Sequence, residues 1–140
     1  MSLWKAFGTD EQMEVSGVPI KPAGFNADGT EATFFVARIG GQNHQFTKIR
    51  DQIMRPYSRE IEAGTLDPQH MFRLNVEVFV KANLKGWQHV RDIDEQEIRF
   101  SYDNAIKLLT QLPDLYLTLA YEAGKIANYQ AIATEAAEKN

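Results

Sequence analysis

The chain has 140 residues, 44% of them hydrophobic and 24% charged, with a net charge of −4 and no cysteine. That length and composition fit one ordinary globular domain, exclude disulfide and thiolate chemistry, and argue against a domain whose main task is to hold a phosphate backbone. No apolar run approaches the roughly 20 residues that span a bilayer, and Met1–Phe7 carries no secretory pattern, so a cytoplasmic protein without a membrane segment is expected.

In chain order, residues 1–30 read as irregular, punctuated by Gly17, Pro19, Pro22 and Gly24. Asp28-Gly29 is a hairpin turn signal, because glycine tolerates positive φ. The β-branched and aromatic run from Thr30 to Ile39 predicts a strand that stops at Gly40-Gly41 and pairs with a segment near Glu14–Lys21. Residues 1–41 thus form an irregular and β-hairpin part, and two strands alone must pack on helices. Gln42-Asn43 opens a helix with Phe46, Ile49, Ile53 and Tyr57 on one face. Arg55-Pro56 kinks or breaks it, and a second piece runs from Tyr57 to Ala63 with Gly64 as its stop.

Asp67-Pro68 starts the next helix, aspartate as cap and proline in the first turn. Met71, Leu74, Val78 and Ala82 make one stripe, and Phe72, Val76, Phe79 and Val80 widen it over much of the circumference. Such a helix is central to a core or buried in an oligomer. Lys85-Gly86 reads as its end. Trp87 to Phe100 reads as a short hairpin or extended loop about an acidic turn at Asp92–Glu97. Ser101 caps a helix to Gln111 with Ala105, Leu108, Leu109 and Leu112 inward, Pro113-Asp114 resets the chain into another helix, and an alanine-rich tail at 126–140 is helical with a fraying end. The expected fold is α+β and mainly α-helical, one domain over 1–140, with a small N-terminal hairpin packed on four to five helices and a helical core at 42–125.

Few residues suggest chemistry. The acidic turn lacks the glycine and the bidentate glutamate of a calcium loop. His44, His70 and His89 stand far apart, His70 reads as neutral and exposed, and the serines lack nucleophile-elbow glycines. No catalytic residue, metal site or cofactor is expected. The candidate residues are instead for protein contact: Trp87, Phe79, Val80 and Phe72 as apolar anchors, and Arg55 and Arg59 as part of a basic stripe with Lys48. The bland reading of each is that the apolar side chains serve the core and the basic ones a solvated face.

Three stretches, read together, resemble the tail assembly chaperone family of long-tailed bacteriophages and their prophage relatives. The first is Ala37-Arg38-Ile39-Gly40-Gly41-Gln42-Asn43-His44-Gln45-Phe46, like the family's strand, glycine-asparagine link and aromatic-bearing helix. The second is Gly86-Trp87-Gln88-His89-Val90-Arg91-Asp92-Ile93-Asp94, similar to its glycine-tryptophan, aliphatic and aspartate pattern. The third is Ile98-Arg99-Phe100-Ser101-Tyr102-Asp103-Asn104-Ala105 with Leu108-Leu109 and Leu112-Pro113-Asp114-Leu115, like its helix start and proline-aspartate break. Many relatives have Asp-Gly where this chain has Asp94-Glu95.

The resemblance implies a non-enzymatic protein of the host bacterial cytoplasm that binds the helical tape measure protein during phage tail assembly and is absent from the finished virion. Self-association into a homo-oligomer fits the same reading, and nucleic acid is disfavoured as a partner. Two alternatives stand beside it: a minor structural tail protein, and a small nucleic-acid-binding regulator using the basic stripe over residues 42–63.

Overall fold

The computed structural model describes residues 2–130. It is mainly helical, with one small antiparallel sheet: the α+β class expected. Two short helices open the chain, α1 (Leu3–Phe7) and α2 (Glu11–Ser16), where the sequence reads as irregular. Their signals are local. Ser2 Oγ accepts from Lys5 N at 3.2 Å, and Asp10 Oδ1 accepts from Met13 N at 3.2 Å, so each helix starts at a capping side chain. Both are too short to be stable by themselves and depend on what they touch.

Strands β1 (Val18–Ile20) and β2 (Thr33–Val36) form the expected hairpin, with Val18 opposite Val36 and Ile20 opposite Phe34. Gly29, at φ 85°, closes the turn between them, and Asp28 Oδ1 accepts from Thr30 N and Oγ1. Pro19 faces Phe35 at a position between the hydrogen-bonded pairs, so its missing N–H leaves the ladder intact. The sheet has a third strand. Residues Leu84–Gln88, read in sequence as a helix stop and a loop, are β3, paired with β2. The preceding helix ends at Ala82 and not at Gly86. Asn83 ends it, and its side-chain amide donates to Ala37 O at 3.0 Å and Arg38 O at 3.2 Å. A polar residue buried where helix meets sheet turns the chain, and Gly86 lies inside the ladder opposite Phe35.

The helical part follows. Helix α3 (Gln45–Met54) starts three residues later than expected, because Gly40–Asn43 makes a turn first. A 3-10 turn at Arg55–Tyr57 absorbs Pro56, and α4 (Ser58–Ala63) ends at Gly64 in the left-handed region. Helix α5 (Pro68–Ala82) is the central one: Leu74, Val76, Val78, Phe79, Val80 and Ala82 are all buried. Each large side chain there contributes about 1.5–3 kcal/mol by leaving water. It packs against α3 and against α6 (Tyr102–Gln111). Helix α7 (Pro113–Ala123) follows α6 after one residue, and a 3-10 turn at Ile126–Tyr129 ends the described chain. The remainder of the tail expected at 126–140, residues 131–140, lies outside the described residues.

The core gathers the inner sheet face (Val18, Phe34, Val36, Trp87) with α5, α6 and α7. Tyr129 is wholly buried in it, its hydroxyl donating to Val36 O at 3.0 Å. Burial pushes that hydroxyl's pKa well up, so it stays a donor. On the rim, the fully buried Glu14 of α2 accepts from Thr9 Oγ1 at 2.7 Å, from Arg38 Nη1 at 2.7 Å, and from Gln42. Burial raises its pKa, but these bonds and the Arg38 charge outweigh it and hold the carboxyl below its usual range. Gly41, at φ 56°, is needed here: a Cβ at that position would collide with Glu14 Oε2.

Candidate protein-interaction surface

Two structural events shape the surface at the start of α5. Asp67 caps α5 by accepting from Gln69 N at 3.3 Å, and Pro68 fills the first helical position. At the other side, Leu112 is at once the C-cap of α6 and the N-cap of α7, with φ −121° and ψ 75°. Pro113 supplies no N–H and cannot continue α6, so the chain turns a corner in one residue. A groove of about 930 Å³ lies between the start of α5 and this corner, lined by Pro68, His70, Phe72, Arg73, Thr110 and Pro113 among others. The ring of Phe72 meets Tyr116 edge-on at 5.6 Å, and Tyr57 meets His70 at 4.7 Å. Leu112 and Leu117 are 51% and 58% exposed, where most leucines of this chain are covered.

The six candidate residues do not converge. Trp87, Phe79 and Val80 are buried. Trp87 packs edge-on against Phe34 at 5.8 Å and Phe100 at 5.0 Å, and donates from Nε1 to Ile98 O at 2.7 Å. Phe79 meets Tyr116 at 5.6 Å. The side chains of these three are spent within the subunit, because the sheet and α6 cover the broad stripe of α5. Phe72, half-buried, lines the groove. Arg55 and Arg59 are exposed on the turn and helix that follow α3, and neither makes an ion pair among the described residues. Arg55 borders a second, shallower cleft with Met54, Ile61 and Glu62.

Two expectations about this surface change. His70, expected to be exposed, is half-buried against Tyr57, since the 3-10 turn folds the α3–α4 segment over the start of α5. Leu112, expected to face inward with Leu108 and Leu109, faces out. The helical stripe stops one residue short of it, and a residue between two helices belongs to the inner face of neither. Pro113 is the signal that marks it.

What the groove offers chemically is a place for apolar side chains. Its charged rim is occupied: Arg73 lies 3.7 Å from Glu77, and Asp67 serves as the cap. Burial raises the Tyr116 hydroxyl's pKa, keeping it neutral. Among the described residues no three histidine, aspartate or glutamate side chains converge as metal ligands, and no helix is long and apolar enough to cross a membrane.

No curated protein and no solved structure matches this chain. A family model described as YdaY prophage protein matches residues 41–140. The matched span begins at Gly41 and includes α3 to α7, β3, the acidic turn and the whole of the groove. The chain therefore belongs to the YdaY prophage protein family and is a prophage-associated protein.

Proposed function

We propose that this chain is a tail assembly chaperone: a non-enzymatic protein of the host bacterial cytoplasm that binds the tape measure protein before tail tube subunits assemble around it. The observation that carries this reading is the groove at the α6–α7 corner, with Phe72 and Pro113 in its wall, together with Leu112 exposed between the two helices and Leu117 exposed on α7. An amphipathic helix lays its apolar face into such a groove. A long apolar stripe waiting for its tube is an aggregation hazard, and a partner with a modest apolar surface covers it reversibly. The three ordered sequence motifs and the prophage family support the same reading.

Co-expression with the tape measure protein of the same prophage tests it. The tape measure protein should become soluble and co-purify with this chain, and Leu117→Asp should cut the yield of complex several-fold while leaving the fold intact by circular dichroism. Failure of the wild-type chain to solubilise or retain the tape measure protein sinks the reading. Finding this protein in purified virions favours the structural-subunit alternative instead.

A further inference from the structure

Helix α1 buries none of its five residues, yet it is firmly held. Ser2 caps its start, Gly8 N donates to Trp4 O at 2.8 Å at its end, and Gln130 Nε2 donates to Ala6 O at 3.2 Å and to Gly8 O at 3.1 Å. Gly8 is required there, since a Cβ at that position would collide with Trp4 O. A helix this short does not persist by itself, so these bonds serve to present it. What it presents is apolar. Leu3, Trp4 and Phe7 are 66%, 76% and 69% exposed and fall within about 100° of one another around the helix. Lys5, the one charged residue of α1, falls on the opposite side. A hollow of about 370 Å³, open on one side, is lined by the three apolar side chains and Gly8. A contiguous apolar patch of this kind marks an interaction site.

We propose that the Leu3–Trp4–Phe7 face pairs with the same face of a second copy of the chain, the two α1 helices meeting about a two-fold axis with Trp4 of each copy entering the hollow of the other. Such a pairing needs a surface complementary to itself. This one holds both a protruding ring and a recess for a ring, and it has no charge that the pairing would strip of water. The area is also of the right order. With aromatic side chains carrying about 150–250 Å² each, the three exposed fractions leave roughly 450 Å² on each copy. Two copies face to face remove about 900 Å² from water, which belongs to the small, transient class of specific interfaces. The dimer therefore forms and parts with a dissociation constant on the order of 10–100 μM. The face lies outside the matched residues 41–140, and the inference rests on neither the family nor the tape measure reading.

Sedimentation velocity on the full chain, between about 1 and 300 μM, tests it. A reversible monomer–dimer equilibrium is expected, and acrylamide quenching of Trp4 should fall in step with the dimer fraction. Trp4→Glu should raise the dissociation constant at least tenfold with the far-ultraviolet circular dichroism unchanged, because Trp4 supports no core. Leu117→Asp should leave the dimer as it is, which separates this face from the groove at the α6–α7 corner. A chain that stays monomeric throughout overturns the proposal, and so does a dimer that survives Trp4→Glu or is lost with Leu117→Asp. Trp4 shielding that is the same at every concentration also overturns it, since the cover then lies within one copy. Co-sedimentation of a monomeric chain with vesicles of phosphatidylcholine and phosphatidylglycerol makes a lipid surface the occupant and overturns it as well.

Discussion

At Glu95 the backbone stands at φ 61°, where a side chain crowds its own carbonyl. The turn around it is held by Asp92 Oδ1, which accepts from Asp94 N and Gln96 N at 2.9 Å each. The left-handed residue is thus imposed by the turn, and the glycine of the resembling sequences is the residue the geometry favours. Glu95→Gly should stabilise the protein by about 0.5–1 kcal/mol, after the extra chain entropy of glycine is counted. A thermal melt should show a rise of roughly 2–4 °C. Glu14 makes the opposite case. Its folded pKa is lowered, so its contribution to stability is present above the ordinary carboxylate value of 4.5 and is lost as pH falls through the folded value. Glu14→Gln should cost on the order of 3 kcal/mol at neutral pH, since Arg38 is left mostly buried without its partner. It should also flatten the acid limb of a stability-versus-pH curve read by urea unfolding. An acid limb as steep as that of the wild type would rule out Glu14 as its source.

Elements are set by their ends as much as by their faces. Ser101 Oγ accepts from Asn104 N at 3.0 Å and starts α6, which supports the corner beside the groove. Ser101→Ala should cost about 1 kcal/mol in urea unfolding without changing the slope, because one cap is lost and nothing else moves. The same local chemistry makes α5 readable from Asp67-Pro68, the α3–α4 break from Pro56, and α7 from Pro113. It fails for β3. Leu84–Gln88 follows a strongly helical run, holds a lysine and a glycine, and becomes a strand because β2 offers it a ladder about 50 residues away in sequence. The glycine that reads as a helix stop is a ladder residue for that reason. Helices α1 and α2 are missed on the opposite ground: their caps are plain, but they are too short to show a stripe.

Across the whole molecule, the N-terminal and C-terminal parts are tied by contacts with no local signature. Tyr129 hydroxyl to Val36 O spans 93 positions, and Asp10 N to Tyr129 O fixes α2 to the closing turn. Tyr129→Phe should remove the hydroxyl bond to Val36 O and cost about 0.5–1.5 kcal/mol. Amide exchange near Val36 and in α2 should rise together in that variant. If only β2 responds, the two parts are not cooperative. The candidate surface is also a whole-molecule product. Sequence singles out Phe72 and the Leu112-Pro113 break separately, and only packing of α5 against α6 sets Phe72 beside Thr110 and Pro113. Trp87, Phe79 and Val80, equally suited to an interface by type, are taken by the core, Trp87 as part of the sheet and the other two on the buried side of α5.

Periodicity, caps and proline positions are short-range facts, with energies set within one or two helical turns. For that reason the sequence by itself determined the helical class, the β1–β2 hairpin, the main helix boundaries and the residues able to serve either a core or a contact. Only the tertiary structure decided which of those residues are spent inside, where β3 joins the sheet, and that a groove opens at the α6–α7 corner. Burial is a property of what arrives from elsewhere in the chain: an apolar side chain carries the same drive to leave water whether its cover is its own sheet or another molecule.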